Sequence, residues 1–146
     1  MKNKVLIICA NYYKDHSTFL KSNAEKFLHK TKIKTKCIFV PGIFEIPVVI
    51  ARNIKKFDGF VALGCVIKGE TPHFEYISRS TFDALMKLSV VYKKPIGNGI
   101  ITALNNMQAK QRSGSNLSSA KWKEKSKGVE AAKAVVEVLK NDPQSR

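Results

Sequence analysis

The stretch Gly64-Cys65-Val66-Ile67-Lys68-Gly69-Glu70-Thr71-Pro72-His73-Phe74-Glu75 holds the residues best suited to chemistry. An apolar run ends at a lysine and a glycine, and a helix-compatible run begins at His73. Thr71 suits an N-cap and Pro72 the first helical position. Free N–H groups and the positive end of the helix dipole would bind an anion such as phosphate there. Gly69 would let that anion approach the backbone closely. His73 stands in the first turn, where the dipole disfavours imidazolium while Glu75 opposes that effect, so the net direction stays open. A neutral imidazole beside an anion site can move protons. A well-capped helix with a structurally bonded histidine accounts for the same residues taken alone. His16 and His29 have no comparable setting and are expected to carry no chemistry.

Three further places carry unusual residues. In Val40-Pro41-Gly42-Ile43-Phe44-Glu45-Ile46-Pro47 one acid stands among apolar residues at a helix start. Glu45 can cap backbone N–H groups or accept from a polyol hydroxyl, and local grounds do not choose between these. Tyr12 and Tyr13 follow the first apolar run, where a ring could stack on a planar heterocycle or simply pack. Arg112 is one of four arginines against 22 lysines. Its planar fork suits phosphate better than an ammonium does, a hint shared by Arg52, Arg79 and Arg146.

The elements that must position these residues alternate. Val5–Ala10, Thr35–Val40, Phe60–Ile67 and Ile96–Thr102 read as short buried strands. Helices are expected from a Ser17 cap to about Lys30, from Phe44 to about Lys56, from His73 to about Tyr92, from about Asn105 to Arg112, and from about Ala120 to Lys140. In the second of these, Phe44, Val48 and Ala51 share an apolar side and Pro47 falls in the first turn, where it is tolerated. Ser113–Ser119 reads as a polar connection. Such alternation implies an α/β fold with a parallel sheet covered on both faces. Ligands in such folds sit at the carboxyl ends of the strands. That rule selects the loops Asn11–Tyr13, Pro41–Glu45, Lys68–His73 and the segment after Thr102, which hold the residues above.

Composition sets the bounds. The 146 residues, 44% hydrophobic and 25% charged, suit one globular domain spanning 1–146. No apolar run is long enough to span a membrane. Val5–Ala10 after Lys2 and Lys4 resembles a secretory leader, but six apolar residues fall short of the ~7–15 that a leader core needs. Cys9, Cys37 and Cys65 form no C-x-x-C pair, so reduced, cytoplasmic thiols are expected rather than a disulfide framework or a metal site. The formal charge of +15 is spread along the chain, densest at Lys121-Trp122-Lys123-Glu124-Lys125-Ser126-Lys127. With no nucleic-acid-reading motif attached, that run reads as a solvated face, and no nucleic-acid partner is expected.

Together, Val40–Pro47, Ala62–Phe74 and Lys127-Gly128-Val129-Glu130-Ala131-Ala132 resemble the 6,7-dimethyl-8-ribityllumazine synthase family over Val5 to about Leu139. The resemblance implies a flavodoxin-like three-layer α/β/α sandwich with a four-stranded parallel sheet in the order 2-1-3-4. It implies a homo-pentamer, doubled or built into a larger shell in some members, with active sites between subunits and riboflavin synthase as a candidate partner. The implied reaction joins 5-amino-6-(D-ribitylamino)uracil to 3,4-dihydroxy-2-butanone 4-phosphate, without metal or organic cofactor, releasing phosphate and water. By the same resemblance His73 is the proton-transfer group, and Gly69, Glu70 and Thr71 form the phosphate turn. Arg112 grips phosphate from the adjacent subunit, with Lys127 and Glu130 near it. Ile43, Phe44 and Glu45 hold the ribityl chain, Cys65, Val66 and Ile67 line the pyrimidine pocket, and Tyr12 stacks on the ring. The sequence departs from the family where Asn11-Tyr12 replaces arginine and phenylalanine, and where Asn98 replaces an aromatic residue and would hydrogen-bond the pyrimidine. The 14 residues between Arg112 and Lys127 also make that spacing longer than in many members. Two other readings remain: an archaeal-type riboflavin synthase on the same scaffold, and a non-enzymatic basic RNA-binding protein.

Overall fold

Residues Val5 to Ala10 are buried without alternation, as a strand must be when helices cover both faces of its sheet. The computed structural model describes residues 3–114 and 126–141. In chain order it has β1 (Lys4–Ala10), α1 (Lys14–Lys30), β2 (Lys34–Val40), a 3₁₀ turn (Ile43–Glu45), α2 (Ile46–Asn53) and β3 (Gly59–Ile67). There follow α3 (His73–Tyr92), β4 (Ile96–Ala103), α4 (Asn106–Ser113) and α5 (Lys127–Lys140). The sheet is parallel in the order β2-β1-β3-β4, with Ile7 opposite Cys37 and Val61, and Gly64 opposite Ile100. This is the flavodoxin-like order that the resemblance implies. The chain reverses direction across the sheet between β1 and β3, so a crevice opens at their carboxyl ends.

Alternate strand residues feed two cores. On one face Val5, Ile7, Val61, Leu63 and Ile101 pack with Leu20, Ala24 and Leu28 of α1 and Ala132, Val135 and Val136 of α5. On the other, Leu6, Ile8, Phe60, Ala62 and Ile100 meet Ile46, Ile50 and Ile54 from α2 and its end, and Leu85 of α3. Each large apolar side chain buried in these layers contributes on the order of 1.5–3 kcal/mol. Lys94, between α3 and β4, fastens that connection to the one between α2 and β3, donating from Nζ to Ile54 O at 2.6 Å and to Phe57 O at 2.9 Å.

Two backbones come into direct contact with α5. A Cβ on Gly97 would strike the Ala131 carbonyl, and one on Gly128 would strike the Leu20 carbonyl. Glycine at these positions lets α5 lie flush on β4 and α1.

Three local expectations change. Helix α1 starts three residues before Ser17, which is buried and donates to Ala10 O at 2.6 Å instead of capping. The second helix begins as a 3₁₀ turn and ends at Asn53, not Lys56. Its inward residues are Ile46 and Ile50, while Phe44, Val48 and Ala51, the expected apolar side, face out. Both sides of this helix are apolar, so periodicity alone does not say which goes inward. Pro47 lies in the first turn as expected. Positions 115–119 of the polar connection, 120–125 of the last expected helix and most of the basic run lie outside the described residues.

Gly97→Ala should lower stability by about 1–3 kcal/mol, as overpacking does, read as a fall in Tm. Gly69→Ala has no atom within 4 Å of the new methyl and should leave stability within about 0.5 kcal/mol.

Candidate active site

The loops at the carboxyl ends of β1, β2 and β3 converge on the crevice. Asn11 N donates to Val40 O at 3.0 Å, tying the first two ends together. Tyr13 packs against the core and Tyr12 does not: Tyr12 is 76% exposed and touches Tyr13 edge-on, ring centroids 4.9 Å apart. Of the two rings, Tyr12 has its face open. In the next loop Ile43 is buried against the α2 side of the core, while Phe44 is 63% exposed. Glu45 Oε1 accepts from Gly42 N at 3.0 Å, so in this chain the carboxylate caps the 3₁₀ turn.

The end of β3 carries Cys65, which is buried, and Val66 and Ile67, which are half-buried. Burial pushes the Cys65 thiol up to about 11. Burial, and then the neighbouring Cys37, pushes Cys9 up to about 12. Both stay protonated near neutral pH, so neither is an activated nucleophile.

Gly69, Glu70, Thr71 and His73 are all exposed. Helix α3 begins at His73 with Pro72 in the capping position and no side-chain cap. Thr71 is therefore not the N-cap, and Pro72 precedes the first helical residue. Pro72 has no N–H to give, and its carbonyl accepts from Glu75 and Tyr76. The exposed first turn keeps the dipole and backbone geometry that suit an anion.

The second set of candidates lies along β4. Phe60 N donates to Pro95 O, and Lys68 N to Ala103 O. The odd-numbered backbone groups of β4 thus point at β3, and the even-numbered ones point to the open edge. On that edge Asn98 Oδ1 accepts from Ile100 N at 3.0 Å, and Arg112 Nη1 donates to Thr102 O at 2.7 Å. Lys127 Nζ lies 3.4 Å from Glu130 Oε1, with the glutamate largely exposed. Ile100, Ile101, Thr102, Arg112, Lys127 and Glu130 line a cleft of about 210 Å³. Two cations against one acid leave it net positive and of a size for a small anion.

No residue of the Gly69–His73 loop lines that cleft. The candidates therefore do not all line one cleft of a single chain. A wider cleft of about 1070 Å³ lies beside β2, lined by Lys4, His29, Lys34, Lys36 and Phe57 among others, and contains none of them. Among the described residues no cluster of three metal-ligating side chains occurs, and no helix is long and apolar enough to cross a membrane.

His16, to which the sequence assigns no chemistry, is buried and bonded at both ring nitrogens, to Asn106 and Ser113. Its partners lie 90 and 97 positions away, so no local pattern could announce them.

A family model described as 6,7-dimethyl-8-ribityllumazine synthase matches residues 2–142. The chain is 43% identical to a 6,7-dimethyl-8-ribityllumazine synthase of Bartonella tribocorum, over 92% of this chain and 87% of that protein. It is 38% identical to that of Nitrobacter hamburgensis, over 94% and 84% of the two chains. It is 39% identical to a 6,7-dimethyl-8-ribityllumazine synthase 1 of Rhodopseudomonas palustris, with the same coverage. The matching family model, these relatives and the 2-1-3-4 sheet agree with the motifs: the chain belongs to the 6,7-dimethyl-8-ribityllumazine synthase family, transferases of riboflavin biosynthesis.

Proposed function

We propose that this chain condenses 5-amino-6-(D-ribitylamino)uracil with 3,4-dihydroxy-2-butanone 4-phosphate in a site built by two of its copies. One copy supplies the crevice: Tyr12 stacks on the pyrimidine, Cys65, Val66 and Ile67 line its pocket, and Ile43, Phe44 and Glu45 hold the ribityl chain. Gly69, Glu70 and Thr71 turn the backbone toward the phosphate, and His73 moves protons. The neighbouring copy supplies Asn98, Arg112 and Lys127, with Glu130 beside the lysine. The observation that carries this reading is the positive cleft of Arg112 and Lys127, which no residue of the Gly69–His73 loop lines.

The chemistry asks for few parts. A ring amine attacks the ketone and water leaves the adduct, which requires a proton delivered to the departing oxygen. An imidazole at the mouth of the site suits that transfer. Expulsion of phosphate builds negative charge on the leaving oxygen, which a guanidinium and an ammonium offset. Closure by the second amine on the remaining carbonyl is intramolecular, releases a second water and depends mainly on how the chain is held. The protonated Cys65 thiol leaves the ketone to the amine.

A different, apolar face suits assembly. Val48 of α2 and Met86, Val90 and Val91 of α3 are exposed. An apolar groove of about 400 Å³ runs between these helices along Val48, Ala51, Leu88 and Val91. Burial of such a face against further copies suits a homo-pentamer. Cys9, Cys37 and Cys65 are free thiols, in keeping with the cytoplasm.

Arg112→Ala should raise KM for the butanone phosphate about 10- to 100-fold, the loss of charge-assisted hydrogen bonds of ~1.5–3 kcal/mol. Unchanged KM in steady-state lumazine formation would remove that role. His73→Ala should lower kcat about a hundredfold without abolishing it, the lower range for proton-transfer groups. A variant as fast as the parent would end the proton-transfer assignment. Diluted protein followed by light scattering and absorbance should lose activity in step with oligomer size. A fully active monomer would contradict the shared site.

A further inference from the structure

Helix α4 carries Arg112, yet apolar packing holds it weakly. Of its eight residues only Ala109 and Ser113 are buried, and Met107 is 62% exposed. A polar chain, buried except at Asn106, fixes it instead. His16 of α1 lies 3.0 Å through Nε2 from Asn106 Oδ1, at the first residue of α4, and 3.4 Å through Nδ1 from Ser113 Oγ, at the last. One imidazole thus clamps both ends of the helix. An imidazole can offer a donor at one nitrogen and an acceptor at the other, which an aliphatic side chain of the same size cannot.

The chain continues to the other cation of the cleft. Ser126 Oγ donates to Ser113 O at 3.4 Å. The same oxygen accepts from Gly128 N at 3.2 Å as the N-cap of α5, and from Asn23 Nδ2 of α1 at 3.2 Å. His16, Asn23, Ser113 and Ser126 are each at least nine-tenths buried. Arg112 precedes Ser113 and Lys127 follows Ser126, so each cation is one residue from a fixed point of this chain.

We propose that His16, Ser113, Ser126 and Asn23 are positioning residues for the anion cleft: they set the spacing of Arg112 and Lys127, and so the fit to the substrate's phosphate. This rests on the phosphate-binding reading of that cleft. A satisfied buried polar network enforces one geometry more strictly than apolar contacts do. Binding groups displaced by a fraction of a bond length lose much of their effect. None of these four residues lines the cleft itself.

The test compares His16→Leu, His16→Gln and Asn23→Ala with Arg112→Ala in the assembled enzyme. It measures both KM values, kcat, Tm, and binding of inorganic phosphate by titration calorimetry. His16→Leu should raise KM for the butanone phosphate roughly tenfold or more. It should weaken inorganic phosphate in parallel and leave KM for the pyrimidine within about twofold, a split that a general loss of stability would not give. His16→Gln, which keeps a donor and an acceptor, should lie nearer the parent. Asn23→Ala should show the same split more mildly, and it serves alone if His16→Leu does not fold. In the double variant with Arg112→Ala, the effect of His16→Leu should largely vanish, because it acts through that guanidinium. Additive effects, equal shifts in both KM values, or a fall in Tm with phosphate affinity unchanged would overturn the proposal. If Arg112→Ala itself leaves phosphate affinity unchanged, the phosphate reading falls first and the network proposal with it.

Discussion

Everything on the α5 side depends on how closely that helix lies on β4 and α1. Gly97 and Gly128 allow backbone to meet backbone there, with Ala131 and Leu20 as the opposing carbonyls. Because this contact involves main chain rather than flexible side chains, the start of α5 has little room to shift. Lys127 and Glu130 inherit that rigidity, since they flank the glycine that makes the contact. If the cleft holds one small anion as proposed, its cations need such a base, because Coulombic attraction falls off with distance and a loose ammonium would stay solvated.

The crevice side is organised differently. There the sheet's reversal between β1 and β3 places three loops together, and their residues divide between anchors and presented groups. Ile43, Cys65 and Tyr13 face inward and hold the loops, while Tyr12, Phe44 and the Gly69–His73 turn are left exposed. Exposed aromatic rings beside an uncapped helix start make an unfinished surface for an isolated chain. In the proposed arrangement the rigid cation cleft of a neighbour completes it, so the two halves of the chemistry are built by different local rules and meet only on assembly.

How far the sequence disclosed this can be judged element by element. The strands were legible because both faces of a parallel sheet must be apolar, and the runs Val5–Ala10 and Phe60–Ile67 have no polar interruption. The start of α3 at His73 was legible from the glycine and proline before it, although Thr71 did not become the cap. The inward side of α2 was not legible, because Phe44, Val48 and Ala51 on one side and Ile46 and Ile50 on the other are all apolar, and only the position of the sheet distinguishes them. Ser17 looked like a cap, but its hydroxyl reaches a carbonyl of β1, a partner set by tertiary packing. The two-part character of the site came from the resemblance, not from spacing. His16 was invisible because its partners lie 90 and 97 positions away.

The outer margin of β4 has one more consequence. A bare strand edge is a template on which unrelated chains can add by main-chain pairing. Here Asn98 occupies the Ile100 amide and Arg112 occupies the Thr102 carbonyl. One amide and one carbonyl of that margin are therefore already held by the chain's own side chains, which leaves fewer groups for such pairing. The guanidinium proposed to grip phosphate thus also holds a main-chain carbonyl on the sheet's outer strand.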